Sequence, residues 1–180
     1  MTYSISKDFH NYPALSELEA RASQKYLEAG YDYTQWQVTP LSLFKSFAEQ
    51  GQLWVCTTRK GAAAGFAMIA PIWTNLHLYE IDTDPPHMGR GVATMLLRAI
   101  IDWAKAGDYG AITLRTFRTT PWSVKLYQKF NFQFTEDAKV EGDIGRYLQM
   151  EKGLGAAAKD RCTMILNLKP QSRGCLKSHP

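Results

Sequence analysis

Two kinds of hydrophobic periodicity divide the chain into predicted helices and strands. Near the N-terminus, Leu15, Leu18 and Ala22 recur at helical spacing, which predicts an amphipathic helix. Three later segments are apolar or alternate in polarity and are joined by short turns, which is typical of an antiparallel meander. The predicted helices are Pro13–Ala29, Pro40–Glu49, Gly91–Lys105 and Pro121–Phe130, and the predicted strands are 2–6, Gln52–Thr58, Ala63–Trp73, Leu76–Thr83, Ala111–Thr116, Phe132–Thr135 and Cys162–Leu168.

The helix predicted at 91–105 is apolar around most of its circumference. Its polar residues, among them Thr94, Arg98 and Asp102, form one narrow stripe, so we expect the helix to be buried against a sheet. The next helix is predicted to begin with Thr120 as its cap, directly before a proline. The order of strand, two helices, three strands, helix, strand, helix and two strands predicts an α/β fold around a mixed central sheet.

The composition is that of a folded globular protein. Of the 180 residues, 45% are hydrophobic and 21% are charged, which excludes disordered, collagen-like and disulfide-scaffold proteins. Because one domain contains roughly 100–200 residues, we expect a single domain over residues 1–168. No segment approaches the roughly 18 consecutive apolar residues of a membrane helix, so no membrane partner is expected. Three widely spaced cysteines predict free thiols and a cytoplasmic location.

The net charge of +4 comes from the end of the sequence. Residues 169–180 contain three basic and no acidic residues, and without them 18 basic residues stand against 17 acidic ones. A nucleic-acid-binding surface needs a concentrated basic patch on a folded face, which this balance does not predict. We therefore expect a flexible basic tail over 169–180 and no nucleic-acid partner. The rival, a tail that itself binds nucleic acid, predicts salt-sensitive binding that deletion of the tail removes.

Gly89 and Gly91 stand where a predicted strand leads into the buried helix. Glycines at such a position let a ligand approach the backbone, and the unpaired amides of the first helical turn favour a pyrophosphate. The alternative is a tight turn without a ligand. A dinucleotide-binding fingerprint is excluded because Thr94 stands where its third glycine would be, and the Gly-Lys-Ser/Thr of a P-loop does not follow.

The same segment resembles the GNAT superfamily of acetyl-CoA-dependent N-acetyltransferases. The family motif is Gln/Arg-x-x-Gly-x-Gly/Ala, and this chain matches it at Gly91 and Ala93. Met88 stands in place of the Gln or Arg. In that family the loop amides hold the pyrophosphate of coenzyme A, which a backbone can do whatever the side chain at the first position.

The resemblance continues beyond the motif through residues 112–132. Tyr127 matches a family tyrosine, Ser123 stands where the family often has Asn, and Asn131 replaces a glycine. Asn tolerates a left-handed backbone better than most residues, so Asn131 can still make the turn. In total the resemblance covers about residues 50–168.

The resemblance implies a fold and a cofactor. The fold is a mixed, mostly antiparallel sheet flanked by helices, splayed between the strands at 76–83 and 111–116. Acetyl-CoA is the implied co-substrate, with its pantetheine arm in the splay, and a primary amine of a small molecule or peptide is the implied acceptor. The coenzyme-binding residues it implies are Ile81, Thr83, Met88, Gly89, Arg90, Gly91, Val92, Ala93, Thr94 and Ser123.

Two residues are candidates for proton transfer. By resemblance, Tyr127 protonates the departing thiolate; the alternative is a core tyrosine. Strict alternation would place Glu80 on the buried face with Leu76 and Leu78, where a carboxylate is costly. A β-bulge could instead turn Glu80 toward the cleft, where it would act as the general base. The alternative is a solvated or salt-bridged glutamate.

Other polar residues carry weaker predictions. Asp82 and Asp84 either favour a cationic amine or are plain surface residues. The histidines are isolated and lack ligand spacing, so no metal is expected. A non-catalytic acyl-CoA-binding module is the rival function, and a homodimer is an assembly that the sequence leaves open.

Overall fold

The computed structural model describes residues 2–31, 37–136 and 160–168. A short 3-10 helix (Pro85–His87), which the sequence did not predict, precedes the third α-helix. The predicted order is confirmed, and every predicted boundary lies within one residue of the observed one. The elements are β1 (Tyr3–Ser6), α1 (Tyr12–Glu28), α2 (Leu41–Glu49), β2 (Leu53–Thr58), β3 (Ala63–Ile72), β4 (Asn75–Thr83), α3 (Val92–Ala106), β5 (Ala111–Phe117), α4 (Pro121–Lys129), β6 (Gln133–Thr135) and β7 (Arg161–Asn167).

The described strands form one seven-stranded sheet in the order β1-β2-β3-β4-β5-β7-β6. Among these strands only β4 and β5 are parallel, and their pairing extends over Leu76–Leu78 and Ile112–Leu114. Beyond Leu78, β4 stays paired with β3 and β5 stays paired with β7, so the two halves of the sheet separate. The predicted splay is therefore confirmed.

Helices cover both faces of the sheet and bury two hydrophobic cores. On one face, Leu96 and Ile100 of α3 and Tyr127 of α4 pack against the sheet, which confirms that α3 is buried. On the other face, Leu18 of α1 and Phe44 of α2 pack against β2 and β3. The helices that meet in the splay, α1 and α4, therefore come from opposite faces.

Gly65 of β3 brings the start of α3 close to the sheet. A Cβ at this position would lie 2.6 Å from Cγ1 of Val92 and 2.6 Å from the carbonyl oxygen of Asp82. A larger residue would displace either the strand or the first turn of α3. The small residue thus fixes the distance between the end of β4 and the N-terminus of α3, where the candidate site lies.

Candidate active site

The loop between β4 and α3 presents backbone rather than side chains. Gly89 and Gly91 have φ angles of 72° and 85°, a left-handed conformation that other residues rarely adopt. Among the described residues, and apart from the two chain neighbours of each glycine, no heavy atom lies within 4 Å of a Cβ built on it. Gly91 is the N-cap of α3 and no side chain caps the helix. The uncapped amides of the first turn and the positive end of the helix dipole are thus arranged so that they could bind an anion.

A cleft of about 490 Å³ leads from this loop into the space between β4 and α4. Most of the sequence-predicted residues line it. Two of them, the exposed Arg90 and the half-buried Glu80, do not line it. The predicted residues that line the cleft are Ile81, Thr83, Met88, Gly89, Gly91, Val92, Ala93, Thr94, Ser123 and Tyr127.

Ser123 and Tyr127 occupy one face of α4 and are both buried. The hydroxyl of Ser123 is within hydrogen-bonding distance of the hydroxyls of Thr116 (3.1 Å) and Thr120. Thr120 is the N-cap of α4, as predicted, but its hydroxyl donates to the carbonyl of Phe117 at 2.9 Å and makes no capping hydrogen bond. A coenzyme would therefore meet a serine hydroxyl already held by two threonines.

Tyr127 lines the cleft. Only 6% of the residue is exposed. Burial raises the pKa of Tyr127 well above its usual value, and the negative charges of Tyr26, Glu80 and Asp82, when ionised, act in the same direction. The phenol is therefore protonated at neutral pH, as a proton donor has to be.

A β-bulge decides where the Glu80 side chain lies. In the ladder between β3 and β4, Ile69 pairs with Leu78 and Met68 pairs with Glu80, so Tyr79 is an extra residue. This extra residue places Glu80 on the same face as Met68, toward α1, instead of beside Leu78 under α3. The bulge considered from the sequence is thus present, and the alternating register is wrong.

The environment of Glu80 favours its protonated form. The residue is half-buried, and burial, then the charge of Glu19, raises its pKa to about 8. The guanidinium of Arg161 and a 3.3 Å hydrogen bond from the Ile81 amide to Oε1 act in the opposite direction. A carboxylate with a pKa near neutrality can accept a proton at physiological pH.

Three charged residues lie around Glu80, and sequence reasoning missed two of them, Glu19 and Arg161. Asp82 is half-buried and lines the cleft, and burial together with Glu80 and Glu19 raises its pKa, so it is not a plain surface acid. Glu19 is 1% exposed and accepts hydrogen bonds from the amide and hydroxyl of Thr39. Because Glu19 lies within the apolar stripe of α1, the sequence pattern could have indicated a buried carboxylate here. Arg161 reaches the site only through the pairing of β7 with β5.

Asp84, the other acid at this end of β4, has a structural role. Its carboxylate pairs with the Arg21 guanidinium of α1, at 2.9 and 3.1 Å. Aromatic rings close the α1 side of the splay: Tyr31 lies 4.7 Å from Phe117, and Tyr26 lies 5.6 Å from Trp122, between ring centroids. Tyr31, Tyr33 and Trp36 fall between the first two helices, where the family resemblance places the acceptor pocket; they either line that pocket or belong to the core, and Tyr33 and Trp36 lie outside the described residues.

A buried hydrogen-bond chain joins β4 and β5 where the splay begins. The Thr113 hydroxyl donates to the Leu76 carbonyl at 3.2 Å and lies 2.8 Å from Nδ1 of His77. Because the hydroxyl has one hydrogen, Nδ1 is the donor to it. Burial lowers the pKa of His77 to about 3, assisted by Arg115 and Arg161, so the ring stays neutral. These contacts hold the strands together next to the point where they separate.

In the described part of the chain, His, Cys, Asp and Glu side chains form no group of three that could hold a metal ion. Of the helices described, none has the length and apolar character needed to cross a membrane.

A mixed sheet that splays beside a glycine-lined helix N-terminus defines an α/β protein with an anion site leading into the gap between its strands. A family model described as the acetyltransferase (GNAT) family matches residues 12–132. The chain belongs to this family.

Solved structures of acetyltransferases share the fold. The ribosomal-protein-S18-alanine N-acetyltransferase from Escherichia coli is similar with a TM-score of 0.66 and 17% identity, over 96% of this chain and 98% of that one. The PaiA N-acetyltransferase from Thermoplasma acidophilum in complex with coenzyme A has a TM-score of 0.62 and 14% identity, over 93% and 99%. N-acetylglutamate synthase from Neisseria gonorrhoeae, complexed with coenzyme A and N-acetyl-glutamate, has a TM-score of 0.69 and 14% identity, over 94% and 36%.

Proposed function

We propose that this protein is an acetyl-CoA-dependent N-acetyltransferase that transfers the acetyl group directly to a primary amine of a small molecule or peptide. The observation that carries the proposal is the continuity of the cleft. One surface connects the glycine loop, Ile81 and Thr83 of β4, and Tyr127. It therefore brings together, in one cleft, backbone amides that suit an anion, strand backbone and a proton donor.

The donor half of the cleft binds through the main chain. The first-turn amides of α3 and its dipole would hold the pyrophosphate. Ile81 and Thr83 lie on the part of β4 that has separated from β5, so main-chain groups on that edge would bind the amides of the pantetheine arm. The lack of a Cβ at Gly91 gives the pyrophosphate room against the backbone.

The transfer step needs one proton donor and one proton acceptor. The amine nitrogen forms a bond to the thioester carbonyl carbon, the carbon–sulfur bond breaks, and the departing sulfur takes a proton from the Tyr127 hydroxyl. The proton lost by the amine goes to Glu80, directly or through water. Glu80 titrates near neutrality, which suits a general base, and the raised pKa of Tyr127 keeps the phenol protonated until the thiolate forms.

The acceptor is expected to approach from the α1 side, where Glu80 and Asp82 lie beside the rings of Tyr26 and Trp122. We further propose a cytoplasmic location, which is compatible with the buried free thiols of Cys56 and Cys162.

Two measurements test the proposal on the full chain. Calorimetric titration with acetyl-CoA should show binding, and release of coenzyme A should be detected in a screen of amino acids, polyamines, aminoglycosides, arylamines and peptide N-termini. Failure to bind acetyl-CoA would refute the donor site. Binding without turnover on any of these amines would favour the non-catalytic acyl-CoA-binding module.

A further inference from the structure

The turn that precedes the glycine loop is held in place independently of that loop. Two hydrogen bonds from Arg21 fix the Asp84 carboxylate, and the Asp84 amide donates to the Ala64 carbonyl at 3.0 Å. Two prolines follow, each with a restricted φ, and the amide of His87 then donates back to the Asp84 carbonyl at 2.7 Å. The backbone at His87 is therefore well fixed where the chain enters the loop.

The side chain of His87 is oriented by Tyr3, which lies on the edge strand β1. The Tyr3 hydroxyl lies 2.9 Å from Nδ1 of His87. The two rings are also nearly perpendicular, with an angle of 84° and centroids 5.6 Å apart. His87 is half-buried and lines the cleft together with Met88 and Gly89. A residue 84 positions earlier in the chain thus holds an imidazole beside the anion site.

His87, oriented by Tyr3, can supply the side-chain hydrogen-bond donor that the neighbouring Met88 lacks. Met88 occupies the motif position where the family has Gln or Arg, and a thioether has no hydrogen to donate. A tyrosine hydroxyl that donates to Nδ1 leaves the imidazole proton on Nε2. We propose that His87 is the side-chain donor of this cleft, its Nε2–H binding a pyrophosphate oxygen of coenzyme A, with Tyr3 as its positioning residue. This inference rests on the proposed function.

The test compares three ligands by calorimetry: coenzyme A, dephospho-coenzyme A, which keeps the pyrophosphate but lacks the 3′-phosphate, and pantetheine, which has no phosphate. His87→Ala should raise Kd about ten- to a hundredfold for the first two ligands, the range for a hydrogen bond to a charged group. Pantetheine binding should not change. His87→Gln, which keeps an amide donor, should recover part of the loss. His10→Ala is the matched control, since that ring is exposed beside Asp8 and does not line the cleft.

Tyr3→Phe tests the positioning role, because it keeps the ring and removes the hydroxyl. It should raise Kd for coenzyme A about two- to fivefold, and this effect should disappear in the His87→Ala background. The proposal is overturned if His87→Ala binds coenzyme A within about twofold of wild type, if only coenzyme A and not its dephospho form loses affinity, or if pantetheine loses as much. A wild-type protein that binds none of the three ligands would instead refute the proposed function itself.

Discussion

Glu80→Gln should lower activity and raise stability in the same protein. The substitution keeps the shape of the side chain and removes its charge. Burial and Glu19 raise the pKa of Glu80 from 4.5 to about 8, which at about 1.4 kcal/mol per pH unit corresponds to at most about 5 kcal/mol. The residue as a whole is only half-buried, and solvent screening reduces the effect that we expect to about 1–2 kcal/mol.

The sign of the stability change follows from the raised pKa of Glu80. Between about pH 4.5 and 8 the folded protein keeps a proton on Glu80 that the unfolded chain has released. The wild-type free energy of unfolding therefore falls through this window as pH rises, and the contribution of the protonated carboxyl is lost above it. Urea unfolding should show Glu80→Gln more stable than wild type by about 1–2 kcal/mol at pH 8.5, and nearly equal to it at pH 4.

The catalytic effect should have the opposite direction. With an acceptor amine of high pKa, kcat/KM of Glu80→Gln should fall about a hundredfold or more, and the rise in rate through about pH 8 should disappear. Glu49→Gln, an exposed change on α2, should alter neither activity nor stability. An unchanged kcat/KM would refute the base role, and a raised KM with unchanged kcat would make Glu80 an acceptor-binding group. Lower stability than wild type at pH 8.5 would refute the burial argument.

Three further substitutions test other parts of the site. Tyr127→Phe should leave the Kd of acetyl-CoA unchanged and lower kcat about 10²- to 10⁴-fold; a loss under about threefold with chemistry rate-limiting would make it a core residue. Gly91→Glu should abolish the rise in Tm that acetyl-CoA causes. Gly61, which has a similar φ of 81° and does not line the cleft, provides the control, and Gly61→Glu should keep this rise. Equal rises in the two variants would contradict the anion site. Thr113→Val removes the hydroxyl that lies beside His77 and should lower the free energy of unfolding, measured in urea, by about 1–3 kcal/mol. Thr113→Ser should restore the stability. An unchanged free energy of unfolding in Thr113→Val would show that the hydrogen bond contributes nothing.

The elements of the fold could be predicted because local signals define them. Glycines end the first two helices, a proline begins α4, and short turns separate β2, β3 and β4. A local signal also predicted the left-handed turn at Asn131, which its φ of 66° confirms. Arg161, by contrast, acts on Glu80 only because β7 pairs with β5, a long-range contact that no local pattern encodes.

The register of β4 shows why the candidate base was harder to predict than the loop. Leu78 and Ile81 both face α3, and two residues instead of one lie between them. The extra residue, Tyr79, places Glu80 among the acids on the α1 side while Ile81 returns to the donor cleft. A regular strand would have put the Glu80 carboxylate under α3, where its desolvation is costly. The same bulge thus avoids that cost and places a titrating carboxylate on the opposite side of the strand from the backbone that we propose to bind coenzyme A, an arrangement that suits the proposed direct transfer.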